Sequence, residues 1–525
     1  MGKLLGAALG AATLLASIAP VVGAATPGVV GFNFEKRRVK AEEAPHLVRR
    51  QSGTVTATLT NEILLYFINV TVGTPGQPFS LQLDTGSSDI WFPAINADIC
   101  EQGVETYCPF GTYDYTQSST YSDPGLPEFQ IQYVDGTQIS GAYLSDVLNI
   151  GSTKLTNMTM AAALEANTRG IGIMGIGFQS GESAAVQGEF TYPNVINVLK
   201  DQGHINSLAY SLWLDDLESN TGSILFGGVD KSKYHGNLVA LPIQPDSQTG
   251  NLTSFTVAWT GLTVSGSGQT SDMSPSTPQP AILDSGTTNT YLPDEIANSI
   301  FNGVGALTDT QYGNVVPCKL ADDDLTFSFT FGGQGGAVVN VSLSEFVTPL
   351  SEEVTFKNGD EACMFAINAA GADPILFGDS FLRSAYVVYD LENNEIGLAQ
   401  TNFDAGKASV EAFQSSSGIP DVISTATAAS VVNTITGIPH ETVASATGTG
   451  GISGPSSRSA TFNLEPNASA TGTGSSGGSG ASGGSSSTSN AANANLRASP
   501  IETASIVSFA VVAIGFLFGG GLMLL

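Results

Sequence analysis

Between residues 51 and 402, short apolar or β-branched runs alternate with clusters of Gly, Asn, Asp and Ser. Leu64-Leu65-Tyr66-Phe67-Ile68 and Ala385-Tyr386-Val387-Val388-Tyr389 are typical, and runs of this length and composition predict strands. Helical periodicity is scarce. One candidate is Thr191–His204, apolar at Val195, Ile196, Val198 and Leu199 and ending near Gly203. The other is Pro293–Phe301, with Asp294 and Glu295 where a helix N-terminus favours negative charge. The pattern predicts an all-β fold, and 525 residues suffice for two lobes, each with its own core. We place these lobes at 51–240 and 241–402.

The ends read differently. Residues 1–24 carry Lys3 and then an apolar, small-residue run to Val22-Gly23-Ala24, the pattern of a secretory signal peptide, with a signal anchor as the alternative. Residues 25–50 hold Lys36-Arg37-Arg38 and end in Arg49-Arg50. Dibasic pairs in an exposed segment of a secreted chain are processing sites. This predicts a propeptide over 25–50, a zymogen, and a mature start at Gln51; an ordinary charged loop is the alternative. Residues 403–505 are expected to form a disordered stalk, because from 413 to 500 Ser, Gly, Ala and Thr dominate and too little apolar surface is available to fold. Two G-x-S-x-G matches inside it, at 474–478 and 480–484, lack the strand–turn–helix setting a serine nucleophile needs. The tail 506–525 is uncharged and apolar, follows a polar spacer, and has small residues upstream at Asn490-Ala491-Ala492. That is the arrangement of a GPI-attachment signal, with Asn490 as the attachment residue, Asn493 as its alternative, and a transmembrane helix as the competing reading.

Charge narrows the partners. The chain has 18 Lys+Arg and 47 Asp+Glu, of which residues 1–50 hold seven and three, leaving 11 basic and 44 acidic residues, or −33, on the remainder. A body this acidic repels phosphates, so nucleic acid is not an expected partner. Its self-repulsion relaxes as carboxylates protonate, which suits an acidic milieu. Four cysteines in a secreted chain predict disulfides, and the spacing favours Cys100–Cys108 and Cys318–Cys363. No C-x-x-C or H-E-x-x-H pattern occurs, so neither a metal site nor a cofactor is expected. Sequons at Asn69, Asn157, Asn251, Asn340 and Asn467 are candidate N-glycosylation sites.

The candidate chemistry lies in an internal repeat. Leu83-Asp84-Thr85-Gly86-Ser87-Ser88 is echoed by Leu283-Asp284-Ser285-Gly286-Thr287-Thr288. Each copy is followed by an apolar-apolar-Gly triplet, Ile173-Met174-Gly175 and Leu376-Phe377-Gly378, whose glycines lie 91 and 94 residues beyond the respective Asp. A lone D-[ST]-G arises by chance roughly once per few thousand positions and reads as a turn. Two copies with matching echoes do not. Hydrolysing a peptide without metal or covalent nucleophile requires an activated water and an acid. Two carboxylates facing one another supply both, because repulsion raises one pKa and the pair shares a proton. Gly after the hydroxyl residue permits close backbone approach.

These motifs resemble those of the pepsin-like aspartic proteases. The resemblance spans roughly 60–402 and rests on FSLQLDTGSSDIWFP (79–93), IQYVDGTQISG (131–141), GIMGIGF (172–178), AILDSGTTNTYLP (281–293) and ILFGDSFLRSAYVVYDLENNEIGLAQ (375–400). It implies a bilobal fold with the active-site cleft between two similar β lobes, and an aspartic endopeptidase acting on protein or peptide substrates through Asp84 and Asp284. Thr85 and Ser285 would cross-link the lobes, Ser87 and Thr287 would bond the outer carboxylate oxygens, and Gly86 and Gly286 would line the loops. Tyr133 would be the flap tyrosine with Trp91 as its partner, although Val134-Asp135-Gly136 departs from the Gly that many relatives carry directly after Tyr. The dibasic propeptide end, the Cys100–Cys108 loop and the tail look most like fungal yapsin- and candidapepsin-type proteases. This implies a monomer held by a GPI anchor on the outer face of the plasma membrane, or in the cell wall. Asp98, Glu101 and Glu105 could attract basic substrates, but in so acidic a body an ordinary surface role is the simpler reading. The rival function is a catalytically silent protein of this fold used for binding or wall structure.

Overall fold

In the computed structural model, the described residues are 26–40, 62–429 and 431, apart from 134–136, 168–169, 247–248, 310–311, 351–353 and 415–416. The signal segment, Arg49-Arg50, Gln51, Asn467, Asn490, Asn493 and the 506–525 tail therefore lie outside them. No helix among the described residues is long and apolar enough to cross a membrane.

Strands dominate. The first thirteen are β1 (Val30–Lys40), β2 (Glu62–Val72), β3 (Gln77–Asp84), β4 (Ile90–Pro93), β5 (Glu128–Gln132), β6 (Gln138–Ile150), β7 (Thr153–Ala166), β8 (Ile173–Gly175), β9 (Ala209–Trp213), β10 (Thr221–Phe226), β11 (Gly228–Asp230), β12 (Tyr234–Pro242) and β13 (Thr256–Gly266). A sheet of 14 strands orders as Val422–Thr425, β12, Glu395–Thr401, Ala385–Asp390, β9, β10, β1, β2, β3, β8, β4, β7, β6, β5. Two C-terminal strands thus sit between β12 and β9, so strands from both halves of the chain share one sheet. Tyr210 of β9 stacks on Tyr389 at 4.8 Å across this join. A second sheet of eight strands centres on β13, Gln279–Leu283 and Ile375–Phe377.

The sequence repeat becomes a topological one. β3 runs parallel to β8 with Asp84 opposite Gly175, and β8 pairs antiparallel with β4. In the second copy, Gln279–Leu283 runs parallel to Ile375–Phe377 with Leu283 opposite Phe377, and Ile375–Phe377 pairs antiparallel with Thr290–Leu292. Each Asp therefore stands at the C-terminal end of a buried parallel strand. Strands of this kind are buried on both faces, which explains runs such as Leu81 to Leu83 and Ala281 to Leu283.

Both predicted helices are present with shifted ends. The first is Val195–Asp201, starting after Pro193 because the Asn194 Oδ1 accepts from the Ile196 and Asn197 amides. The second is Asp294–Val304, following Pro293 and closed by Gly305 at φ +70°. Both expected disulfides, Cys100–Cys108 and Cys318–Cys363, are formed.

Two expectations change. Lys36-Arg37-Arg38 is not in a charged loop but in β1, paired to β10 on one side and β2 on the other, with Lys36 buried and Arg38 exposed. Phe34 of β1 is buried edge-on against Tyr66 at 5.5 Å. The Lys36 ammonium donates to the Asp216 and Leu217 carbonyls at 2.9 and 2.5 Å, and burial, with Arg383 nearby, lowers its pKa to about 8. The alternation of Phe32 and Phe34 with polar neighbours is the strand signal that the basic triplet obscured. Folded structure also continues past the expected stalk start at 403. Val410–Ala412 pairs with β11, Val422–Thr425 runs parallel to β12, and the Thr427 carbonyl accepts from the Gly333 amide. Phe413, Ile419 and Ala426 are buried, supplying the apolar surface that the segment after 427 lacks.

Candidate active site

The two Asp loops meet behind the ends of their strands. Asp84 and Asp284 are both buried, at 6% and 2% exposure. Around Asp84, the Gly86 amide donates to Oδ1 at 2.7 Å and the Ser87 hydroxyl donates to Oδ2. Around Asp284 the set is repeated: the Gly286 amide to Oδ1 at 2.9 Å and the Thr287 hydroxyl to Oδ2 at 2.7 Å.

Beneath them, Thr85 and Ser285 bridge the halves reciprocally. The Thr85 hydroxyl donates to the Leu283 carbonyl at 3.1 Å and accepts from the Ser285 amide at 2.9 Å. The Ser285 hydroxyl donates to the Leu83 carbonyl at 3.0 Å and accepts from the Thr85 amide at 3.2 Å. Four buried groups that a lone strand end would leave unpaired are thereby satisfied across the interface.

The glycines show how close the halves come. A Cβ on Gly86 would lie 2.6 Å from Asp284 Oδ1, and one on Gly286 would lie 2.3 Å from Asp84 Oδ1. Each loop's backbone packs against the opposite carboxyl. Any side chain there would push the two acids apart. Burial raises the pKa of both carboxyls, opposed at Asp84 by the Ser87 and Gly86 donors. At Asp284 the Asp84 charge adds to burial. The titration belongs to the pair.

On the N-terminal side, the Trp91 indole N–H donates to the Tyr133 hydroxyl at 2.8 Å, at the end of β5. Beyond Tyr133, residues 134–136 lie outside the described residues, and Tyr133 N donates to Thr137 O at 2.8 Å.

A family model described as eukaryotic aspartyl protease matches residues 65–401. The chain is a eukaryotic aspartyl protease. It is 42% identical to the probable aspartic-type endopeptidase opsB of Aspergillus fumigatus, over 72% of this chain and 77% of that protein. It is 33% identical to the aspartic proteinase yapsin-3 of Saccharomyces cerevisiae, over 78% of this chain and 80% of that one. The crystal structure of the aspartic proteinase from Irpex lacteus superposes with a TM-score of 0.53 at 20% identity, covering 72% of this chain and all of that one, and shares its fold.

Within this aspartyl protease, some residues escaped sequence reasoning. Gln82, a buried amide in β3, donates from Nε2 to the Gly286 carbonyl at 3.0 Å and has no counterpart in the second copy. A polar residue between two buried leucines, Leu81 and Leu83, was its only signal. Asp89, Glu182 and Tyr192 form a buried polar group beside the first loop, and nothing in the local sequence marks Glu182. Asp98 is engaged by backbone: its Oδ1 accepts from the Ile99 amide at 2.6 Å and the Ala166 amide at 3.3 Å. The sequon residues Asn69, Asn157, Asn251 and Asn340 are all exposed.

Proposed function

We propose that Asp84 and Asp284 are the catalytic dyad of this aspartic endopeptidase. The observation that carries this is the mutual packing of Gly86 and Gly286 on the opposite carboxyl, which holds two buried acids face to face. In the working state the dyad keeps one proton. The ionised carboxylate takes a proton from a water seated between the two, and the protonated one polarises the scissile carbonyl. Ser87, Thr287 and the two glycine amides fix the carboxyl planes, so little reorganisation accompanies the reaction. Tyr133, held by Trp91, closes over the bound peptide.

Because burial raises the dyad's pKa values above those of the unfolded chain, ionisation costs stability. That cost is absent below the unfolded value near 3.8 and grows as pH rises towards the folded values. Activity and stability both favour acid. The ends of the chain support a route through a signal peptide (1–24) and a propeptide (25–50) to a GPI-anchored monomer on the cell surface, carrying glycans at the exposed sequons. Removing the propeptide takes β1 out of the middle of a sheet, so activation changes the pairing of β2 and β10. The test is cleavage of a denatured protein at acid pH, its block by a statine-type transition-state mimic, and its loss in Asp84→Asn. A secreted protein that neither cleaves nor binds the mimic is the silent alternative.

A further inference from the structure

The dyad loop continues from Asp84 to Asp89, and Asp89 is almost fully buried, at 1% exposure. Its Oδ1 accepts from the Tyr192 hydroxyl at 2.6 Å and its Oδ2 from the Ser183 amide at 2.8 Å. Immediately before Ser183 stands Glu182, at 0% exposure. Glu182 Oε2 accepts from the Tyr192 amide at 2.9 Å, and Oε1 is buried with no hydrogen-bond partner. The two acids thus hold Tyr192 at its two ends. The Ser183 hydroxyl in turn donates to the Gln130 carbonyl of β5, which also accepts from Gln187 Nε2 at 2.8 Å. β5 leads directly into Tyr133. The rings of Phe129, Tyr143 and Tyr192 meet edge-on at 5.3 and 5.6 Å and seal the cluster from water. The titratable groups facing the pair are Tyr143 of β6 and Tyr192, with Glu189 near Tyr143, none of them a cation.

We propose that Glu182 is a positioning residue: in its neutral, protonated form it holds β5 and Tyr133 against the loop that carries Asp84, by way of Tyr192, Asp89 and Ser183. This rests on the endopeptidase reading above and names the residues that couple its flap strand to its dyad. A buried carboxylate with an orphan oxygen and no cation is costly as an anion and cheap as an acid. Burial accordingly raises Glu182 to about 9 and Asp89 to about 6. Both lie above the unfolded values, so the cluster is at full strength in acid and is weakened as pH rises from about 4 through these values. Loss of activity towards neutral pH then has a second origin, distinct from the dyad.

Glu182→Gln removes the charge and keeps the shape and the acceptor for the Tyr192 amide. In kcat/KM profiles of the secreted enzyme on a peptide substrate, the alkaline limb is expected to move up by about one pH unit, with the acid limb and the acid-side kcat kept within about twofold. An alkaline limb in its wild-type place overturns the proposal. Should the variant not be secreted, hydrogen exchange of the wild type at pH 4 and pH 7 decides. Protection is expected to fall first in 128–133 and 179–192, ahead of 385–390, and a uniform loss overturns the proposal. Failure of the endopeptidase reading looks different: no mimic binding at any pH, with the exchange pattern still able to support Glu182's role.

Discussion

Replacing Thr85 with Val tests the interlocking of the two halves, because Val matches the shape and deletes only the hydroxyl. Two bonds vanish: the donation to the Leu283 carbonyl at 3.1 Å and the acceptance from the Ser285 amide at 2.9 Å. Thr85 and Ser285 are both 1% exposed, so water does not replace what is lost. Leaving the buried Ser285 amide unsatisfied costs about 1–3 kcal/mol, and the Leu283 carbonyl, left with only the long Tyr389 hydroxyl contact at 3.5 Å, adds up to about as much again, giving about 1–6 kcal/mol for Thr85→Val. That is a large share of the roughly 5–15 kcal/mol available to a folded domain. Ser285→Ala removes the reciprocal pair, and the two changes share one network. In a double-mutant cycle the combined loss should therefore differ from the sum by about 0.5–3 kcal/mol. Urea unfolding at acid pH, followed by tryptophan fluorescence, gives the stabilities. Steady-state kinetics should show kcat falling more than KM rises, since a displacement of about 1 Å at the dyad can cost 100-fold. A loss under about 1 kcal/mol, or strict additivity, would refute the claim that these hydroxyls lock the halves together.

Other outcomes follow from the same geometry. Removing Cys318–Cys363, which spans 45 residues, should cost about 4 kcal/mol, against about 2.5 kcal/mol for the eight-residue span of Cys100–Cys108, measured by denaturant unfolding of the Cys→Ser pairs. Phe413→Ala should cost about 3–5 kcal/mol, because the residue is wholly buried; a thermal melt like the wild type's would mean that the 403–427 segment is only loosely attached. Tyr133→Phe should lower kcat/KM while costing only about 1 kcal/mol of stability, since it removes one acceptor from the Trp91 indole; a pure stability effect would count against a flap role.

How much of this was legible in the sequence varies with the kind of signal. The two Asp loops were visible because the internal repeat keeps the order of Asp, hydroxyl and Gly, and because each copy ends a strand whose parallel partner carries its own apolar-apolar-Gly mark. The disulfides were visible from spacing. The pairing of β1 was not, because Lys36, Arg37 and Arg38 read as exposed charge while the strand's place depends on β2 and on β10, which lies some way along the chain at 221–226. Lys36 is tolerated there only because two carbonyls of the 216–217 turn receive its ammonium. The body's true end was blurred because composition changes gradually from 403, and a handful of apolar residues, Phe413 and Ile419 among them, suffice to pin a segment. Glu182 had no signal, since a buried acid is identified by what surrounds it, and its surroundings come from 89 and 192.

The central claim is that the chemistry belongs to Asp84 and Asp284 together. The most direct measurement is binding of a statine-type mimic and peptide cleavage at acid pH by the secreted wild type, by Asp84→Asn and by Asp284→Asn. The account predicts that the wild type binds and cleaves, and that either variant stays folded but loses cleavage by several orders of magnitude. Cleavage retained by either variant, or a folded wild type that neither binds nor cleaves, would contradict it.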